Sequence, residues 1–385
     1  VMKNDKLYTI IDLGRSKIRL SIIDKNKKIY YSSFLNILSN SLISEYQSKV
    51  KKIIIDAEKK LSFHLEDIIL LMDPITIKTI SLSLRKVLDQ PQALNDILRL
   101  IYKESENIIY SNYDDLKIIH TETSNFILDK KYFEKKPKIN LKIVSIITDL
   151  KFICFELTYI NEIINIFAEN NLNIVEIFCT SFLKSKNYIE FHENKKNVTF
   201  LDIGFDRTTI SNYNNNILKY INSIPVGGNH ITKDISKIFN IKLTEAEEIK
   251  RSFNNSDTEF NYENNKDDSA VLKNLIIKKI SVDKLKQVIL YRVQEILDLS
   301  FTDASKFINV KNTDLILTGD GSKILNKNSF YFNDKYSFNS IDFFNETDSQ
   351  ICSLGLKNYL NKVENHEKIS KKQGIFEKFF NLFSN

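Results

Sequence analysis

Twice in 385 residues the chain runs an apolar segment up to an aspartate, places a glycine two positions later, and leaves along a second apolar segment. The first copy is LYTIIDLGRSKIRLSIID, with Asp12 and Gly14 in the bend; the second is VTFLDIGFDRTTISNY, residues 198–213, with Asp202 and Gly204. Each predicts a strand, a tight turn and a returning strand. A carboxylate at a strand end beside a glycine suits a phosphate-binding turn. Glycine lets backbone N–H groups approach an anion while the carboxylate holds a hydrated cation nearby. Asp12 and Asp202 are therefore the candidate metal ligands, against the plainer reading that aspartate closes turns. The equal interval before each glycine favours the cation role, and two such hairpins far apart predict two similar halves facing one ligand.

Glycine is scarce, 8 in the whole chain, so each one marks a place where a side chain is not tolerated. Gly14, Gly204, Gly227, Gly228, Gly319 and Gly321 fall in four short turns, Gly355 opens an apolar helix, and Gly374 starts a last helix. At 45.0 kDa the chain is too long for one small core. A net charge of +6, no Trp and no basic stripe interleaved with aromatics exclude nucleic acid as the expected partner. Cys154, Cys179 and Cys352, odd in number and set in apolar runs, read as buried thiols in a reducing compartment. The 5 His show no zinc-binding spacing. The first residues enter a strand without a charged-then-apolar leader, and no uncharged apolar run approaches the roughly 18 residues that span a bilayer.

In order, the pattern predicts a three-strand meander over 7–35, an amphipathic helix over 41–62 and a strand Ile68–Met72 ended by Pro74. From 75 to 148 short β-like segments surround one helical stretch, Leu94–Ile109, as in a small α+β subdomain inserted in the first half. A strand FICFELTYI and a helix Asn161–Asn170 resume that half. After the second hairpin come a strand, a Gly-Gly turn with Asn229 as N-cap, and a helix from Thr244. A polar loop is expected over 252–270 and a long helix over Val282–Phe307. TDLILTGDGSKIL again reads as strand, glycine turn and helix start. Ile351–Leu360 is the closing helix, followed by a charged tether.

Strand-Asp-x-Gly twice, then IPVGGNHITKDIS continuing into TEAEEIK, a T-G-D-G turn, an inserted subdomain and an amphipathic end resemble the FtsA family of bacterial cell-division proteins, within the actin-like ATPase superfamily. The resemblance implies an α/β, actin-like (duplicated RNase H-like) two-domain fold. Its first half would be 1–74 and 149–190, its insert 75–148, and its second half 191–360 with a subdomain at about 236–310. A tether, 361–373, and an amphipathic helix, 374–385, would follow. It implies ATP clasped between the halves with Mg2+ on Asp12 and Asp202. Gly14, Ser16 and Lys17 match the first phosphate turn and Gly204 and Thr208 the second; Gly227, Gly228 and Asn229 match a turn beside the nucleotide. Glu247 and Lys250 match ribose and adenine contacts, and Gly319, Gly321 and Ser322 complete that pocket. Thr244 to Glu247 is also a capping-box spacing, and both readings of Glu247 stand. Arg292 falls where the family meets the acidic C-terminal tail of the filament protein FtsZ; as a helix residue it also has an ordinary solvated reading.

Five positions in three turns depart from the family. Phe205, Asp206 and Arg207 occupy a turn that is usually small, Arg15 replaces a small hydroxyl residue, and Asp320 a glycine. A carboxylate about 5 Å from a phosphate costs on the order of 3 kcal/mol at an effective dielectric near 20, which Arg207 offsets by contacting phosphate itself. Thr180 stands near where relatives orient attacking water, so the expectation is nucleotide binding with weak or absent hydrolysis.

In GIFEKFFNLFSN, Ile375, Phe376, Phe379, Phe380, Leu382 and Phe383 share one arc of a helix. Burying each such group contributes roughly 1.5–3 kcal/mol, and a lipid surface realises part of that. A helix docked on its own domain is the alternative, which the charged tether disfavours. The resulting expectation is a peripheral adaptor on the cytoplasmic face of the inner membrane at the division septum. It would anchor FtsZ filaments, self-associate into filaments and recruit later division proteins through its insert. A small-molecule kinase or polyphosphate hydrolase of the same superfamily, or a pilus-assembly relative, are the rivals.

Overall fold

The computed structural model describes residues 6–37, 42–137, 141–192, 194–255, 280–306, 309, 312–325 and 338–370. Its contacts fall into two compact units. One comprises Val1–Asp73, Ile160–Lys184 and Glu346–Asn385; the other comprises Pro74–Tyr159 and Ser185–Asn345.

The first unit is built on a five-stranded sheet of order β3-β2-β1-β4-β9. Its strands are β1 Leu7–Leu13, β2 Lys17–Asp24, β3 Ile29–Asn36, β4 Asp67–Met72 and β9 Asn173–Cys179. β1, β2 and β3 form the antiparallel meander, and β1, β4 and β9 run parallel. Central strands covered on both faces read as unbroken apolar runs. Ile10 and Ile11 of β1 and Ile68, Ile69, Leu70, Leu71 and Met72 of β4 are all buried. Helix α1, Leu42–Leu61, buries Tyr46, Val50, Ile53, Ile54 and Ala57, the stripe that its i, i+4, i+7 spacing predicts. The last helix of the described chain, Asp348–Ser370, packs on β1, β2 and β4.

The second unit repeats this plan. Its sheet has the order β12-β11-β10-β13-β14, with β10 Asn197–Ile203, β11 Thr208–Asn214, β12 Ile217–Ile224, β13 Thr313–Thr318 and β14 Phe338–Phe343. The strand directions match position for position: antiparallel from β10 through β12, parallel from β10 through β14. Two sheets of one order and one sense make the duplicated, actin-like α/β fold. A third sheet, β5-β8-β6-β7, is wholly antiparallel and carries α2, Leu94–Asn112, on one face through Leu94, Ile97, Leu98, Ile101 and Ile109. Its strands are β5 Lys78–Ala93, β6 Leu116–Leu128, β7 Lys131–Phe133 and β8 Lys142–Glu156.

In sequence this third sheet interrupts the first one between β4 and β9; by contacts it falls in the second unit. The reason is visible at its base. Ile77 N donates to Ser223 Oγ at 2.9 Å, Ser223 Oγ donates to Ile75 O at 3.0 Å, and Thr79 Oγ1 donates to Ile221 O at 2.9 Å. All three tie the strand leading into β5 to β12.

The remaining helices are α3 Leu157–Ala168, α4 Thr180–Phe191, α5 Gly228–Phe239, α6 Leu243–Asn255, α7 Val282–Ala304 and α8, the Asp348–Ser370 helix. Several expectations shift. The expected strand FICFELTYI ends at Glu156 and α3 starts at once, four residues ahead of Asn161. β5 continues through Pro91, which an edge strand tolerates; its pairing with β8 slips between Val87 and Gln92. The glycine turn after β13 leads into a 3-10 helix, Asp320–Leu325. Residues 361–370, read above as a tether, continue α8, and 252–255 of the expected polar loop belong to α6. From 256 that loop lies outside the described residues, as does the 374–385 helix.

Gly355 sits where α8 crosses the first sheet. A Cβ there would stand 2.9 Å from Leu71 Cδ2 and 3.2 Å from Ile10 Cγ2, both of them buried. A helical glycine normally gains from replacement, but here overpacking outweighs the gain. Gly355→Leu is expected to lower stability by about 1–3 kcal/mol in urea unfolding; equal or greater stability would mean that α8 does not pack so closely.

Candidate functional site

β1 and β2 pair so that Asp12 lies directly across from Arg19. The Asp12 side chain is 4% exposed and both its oxygens are engaged: Oδ2 accepts from Arg19 Nη1 at 2.7 Å and Oδ1 from Thr180 Oγ1 at 2.9 Å. Arg19 Nε donates in turn to Asp348 Oδ1 at 2.6 Å, and Lys17 Nζ donates to Asp348 Oδ2 at 2.7 Å while lying 4.1 Å from the Phe34 ring centre. Asp348 opens α8, where a carboxylate also answers the positive end of the helix. Burial pushes the Asp12 carboxyl up, against the pull of Arg19 and Thr180. Asp348 goes the other way: burial opposes, but hydrogen bonds and charge from Lys17 and Arg19 hold it below the usual range. Arg15 and Ser16 are half-buried in the bend.

The second hairpin is closed differently. Gly204 N donates to Arg207 O at 2.8 Å, and Arg207 Nη1 donates to Thr209 Oγ1, the residue across from Asp202. Thr208 Oγ1 donates to Val226 O at 2.7 Å. The N-cap of α5 is Gly227, two residues before the expected Asn229. The cause is that the first N–H groups of α5 find acceptors in the neighbouring turn: Gly228 N donates to Gly204 O at 2.9 Å and Asn229 N to Phe205 O at 2.8 Å. The Asn229 amide instead donates to Asp206 Oδ1 at 2.9 Å, and Gly227 N donates to His230 Nδ1 at 3.2 Å. Burial lowers the His230 pKa and keeps that acceptor neutral.

Bare backbone makes this possible. A Cβ on Gly227 would lie 2.7 Å from Gly204 O and Phe205 O; one on Gly321 would lie 2.7 Å from Ile203 Cγ2 and 2.9 Å from Gly204 O. Gly319, at φ +86°, holds the left-handed turn beside Asp202, and Ser322 Oγ donates to Gly319 O at 2.7 Å. Thus Gly204, Thr208, Gly227, Gly228, Asn229, Gly319, Gly321 and Ser322 meet within one unit.

Glu247 and Lys250 join the same cluster from α6. Glu247 accepts from Thr232 Oγ1 at 2.5 Å, Lys250 Nζ at 2.6 Å and Arg251 Nε at 2.9 Å; Lys250 Nζ also donates to Gly228 O at 3.0 Å. The capping-box reading of Glu247 gives way, because Glu245 Oε2 is the acceptor for Lys242 N at 3.1 Å. Burial favours the neutral Glu247 carboxyl, but Lys250, Thr232 and Arg251 bring its pKa below the ordinary value. Arg292, on α7, stands apart from this cluster: Nε and Nη2 fork onto Asp234 at 2.6 and 3.0 Å, and Nη1 bonds Glu295. Its solvated-residue reading is replaced by a clamp between α5 and α7.

The cluster on α6 offers a nucleoside a carboxylate whose present partners, Thr232, Lys250 and Arg251, a diol would have to displace, an ammonium beside it, and glycines that keep side chains off the adjoining backbone. The set around Asp12 does not suit Mg2+. A hydrated Mg2+ would meet Asp12 through its waters, which donate, whereas Oδ2 is taken by the Arg19 guanidinium and Oδ1 by Thr180. Among the described residues no three His, Cys, Asp or Glu gather as a metal group. Arg19 and Asp348 escaped the sequence reading. Arg19 was within reach of it, since the hairpin register places the residue seven after Asp12 opposite it; Asp348, 329 positions from Arg19, carries no local signal.

The family described as Cell division protein FtsA matches residues 199–376. Among curated relatives, Cell division protein FtsA of Buchnera aphidicola subsp. Baizongia pistaciae is 24% identical over 308 residues, 76% of this chain and 71% of that one. That of Bacillus subtilis is 23% identical over 266 residues, 65% and 58% of the two chains. That of Helicobacter pylori is 25% identical over 137 residues, 36% and 27%. The matched stretch thus spans between 27% and 71% of these relatives' own length. Among solved structures, the PilM-PilN type IV pilus biogenesis complex aligns with TM-score 0.56 and 12% identity, over 91% of this chain and 95% of that one. MreB 5 of Spiroplasma citri bound to AMPPNP aligns with TM-score 0.50 and 13% identity, over 95% and 99%. These structures share the fold.

If Glu247 is held ionised by its partners, it contributes stability that is complete above the unfolded carboxyl pKa and is lost as pH falls through the lower folded value. Glu247→Gln should therefore flatten the fall in stability below about pH 4.5. Denaturant midpoints measured across that range test it, and an unchanged slope would show that the carboxylate is not held this way.

Proposed function

We propose that the chain belongs to the FtsA family of cell-division proteins and is a peripheral membrane adaptor. It binds ATP and links FtsZ filaments to the cytoplasmic face of the membrane at the septum. The observation that carries this reading is the family match over 199–376. It begins inside β10, takes in the whole glycine cluster with Glu247 and Lys250, and reaches Phe376 in the apolar end-piece. Support for nucleotide comes from that cluster's donor set and from the acid-glycine hairpin repeated on two sheets of one topology.

Hydrolysis is weak or absent in this reading. Thr180 donates to Asp12 where a water-orienting acid or amide would be needed, and the second turn is filled by Phe205, Asp206 and Arg207. The FtsZ tail meets the α7 side, with Arg292 the proposed contact; the insert meets later division proteins, and copies of the chain associate with one another. The pilus-assembly reading, to which the PilM-PilN likeness gives weight, differs in partner and is separated from this one by retention of the chain on immobilised FtsZ tail peptide.

Isothermal titration with ATP is expected to show one site per chain; absence of heat from intact protein would remove the nucleotide role. The anchor rests on sequence, since Ile375, Phe376, Phe379, Phe380, Leu382 and Phe383 lie outside the described residues. The full chain should float with anionic liposomes and a chain cut after Lys372 should not. Equal flotation of both would refute the anchor.

A further inference from the structure

The two hairpins correspond residue by residue in their pairing. Each aspartate faces the residue seven positions on: Asp12 faces Arg19 and Asp202 faces Thr209. Five positions after the aspartate both carry a cation, Lys17 and Arg207. At the facing position they part, with a neutral hydroxyl in the second hairpin and a guanidinium in the first.

The Arg19 guanidinium is held on two sides. Its side chain is 14% exposed, with Nη1 on Asp12 Oδ2 at 2.7 Å and Nε on Asp348 Oδ1 at 2.6 Å. Lys17 completes the ring on Asp348, and Thr180 takes the other Asp12 oxygen. In the second hairpin a guanidinium reaches the facing position as well, from Arg207 onto Thr209 Oγ1.

We propose that Arg19 takes the place of a divalent cation on the first hairpin, so that nucleotide binding by this chain is independent of Mg2+. The nucleotide half of this statement rests on the function proposed above; the exclusion of metal from Asp12 does not. A guanidinium offers planar N–H donors to phosphate oxygens and stays charged at every working pH. It has no exchangeable ligand positions, so it can position an anion without the coordination chemistry of a metal ion.

Two measurements on the full chain test this. ATP is titrated in Mg2+ and in excess EDTA; dissociation constants agreeing within about threefold support the proposal, and a weakening of about tenfold or more in EDTA overturns it. Mn2+ alone is then titrated by electron paramagnetic resonance into the wild-type chain, Asp12→Asn, Arg19→Leu and Arg19→Lys. Asp12→Asn should leave Mn2+ binding unchanged. Arg19→Leu should bind at least about tenfold more tightly than wild type, the gain vanishing when Asp12→Asn is added. Arg19→Lys keeps the charge and should behave as wild type. A tenfold loss of wild-type Mn2+ affinity in Asp12→Asn, or no gain in a folded Arg19→Leu, overturns the exclusion. Absence of ATP binding in both buffers overturns the nucleotide half, and the Mn2+ series still decides the other.

Discussion

Backbone meeting backbone is the contact on which the second unit's polar end depends. The opening N–H groups of α5 have no partner inside the helix and would ordinarily be met by a side-chain cap, water or a ligand. Here the carbonyls of Gly204 and Phe205 meet them. That solution demands close approach, and it accounts for the glycines at 227 and 321, whose absent Cβ atoms would collide with carbonyl oxygens of the same turn. Lys250 then reaches Gly228 O, and Glu247 and Thr232 reach Lys250. A buried ammonium without its carboxylate would be strongly destabilising, so α6 is fixed to α5 by a network in which each member requires the others.

The first unit solves the same topological problem with charge. Its hairpin has the same strand order and the same seven-residue pairing, yet its turn is held to α8 through Asp348, Lys17 and Arg19. The duplicated fold therefore does not dictate how its hairpins are secured. One copy uses main-chain hydrogen bonds and scarce glycine, the other long side chains from a strand and a carboxylate at a helix start.

What could be read in advance follows from range. The hairpins, α1 and α7 were legible because period-2 and period-3.6 patterns and an Asp-x-Gly spacing are local. The glycine cluster was legible as a set of bends but not as one place, since its members lie over a hundred residues apart and only sheet order brings them together. The choice of Glu247 between a cap and a buried ion pair depended on Thr232 and Arg251, which the spacing to Thr244 cannot weigh. The extra length of α8 was hidden by its charge, because a polar helix and a polar tether share a composition. The attachment of the third sheet to β12 rests on side-chain hydroxyls, Ser223 and Thr79, that an otherwise ordinary strand pattern does not single out.

Charge counting around the two bends bears on how any anion is held. In the first, Arg15, Lys17 and Arg19 against Asp12, Asp348 and Asp73 leave no net charge; in the second, Arg207 against Asp202 and Asp206 leaves −1. Lys250 is already matched by Glu247. A field built from such paired groups does little to draw in a polyanion from a distance. An anion held at either bend would depend on directed donors at short range, hydrogen bonds whose geometry is set by the turns themselves.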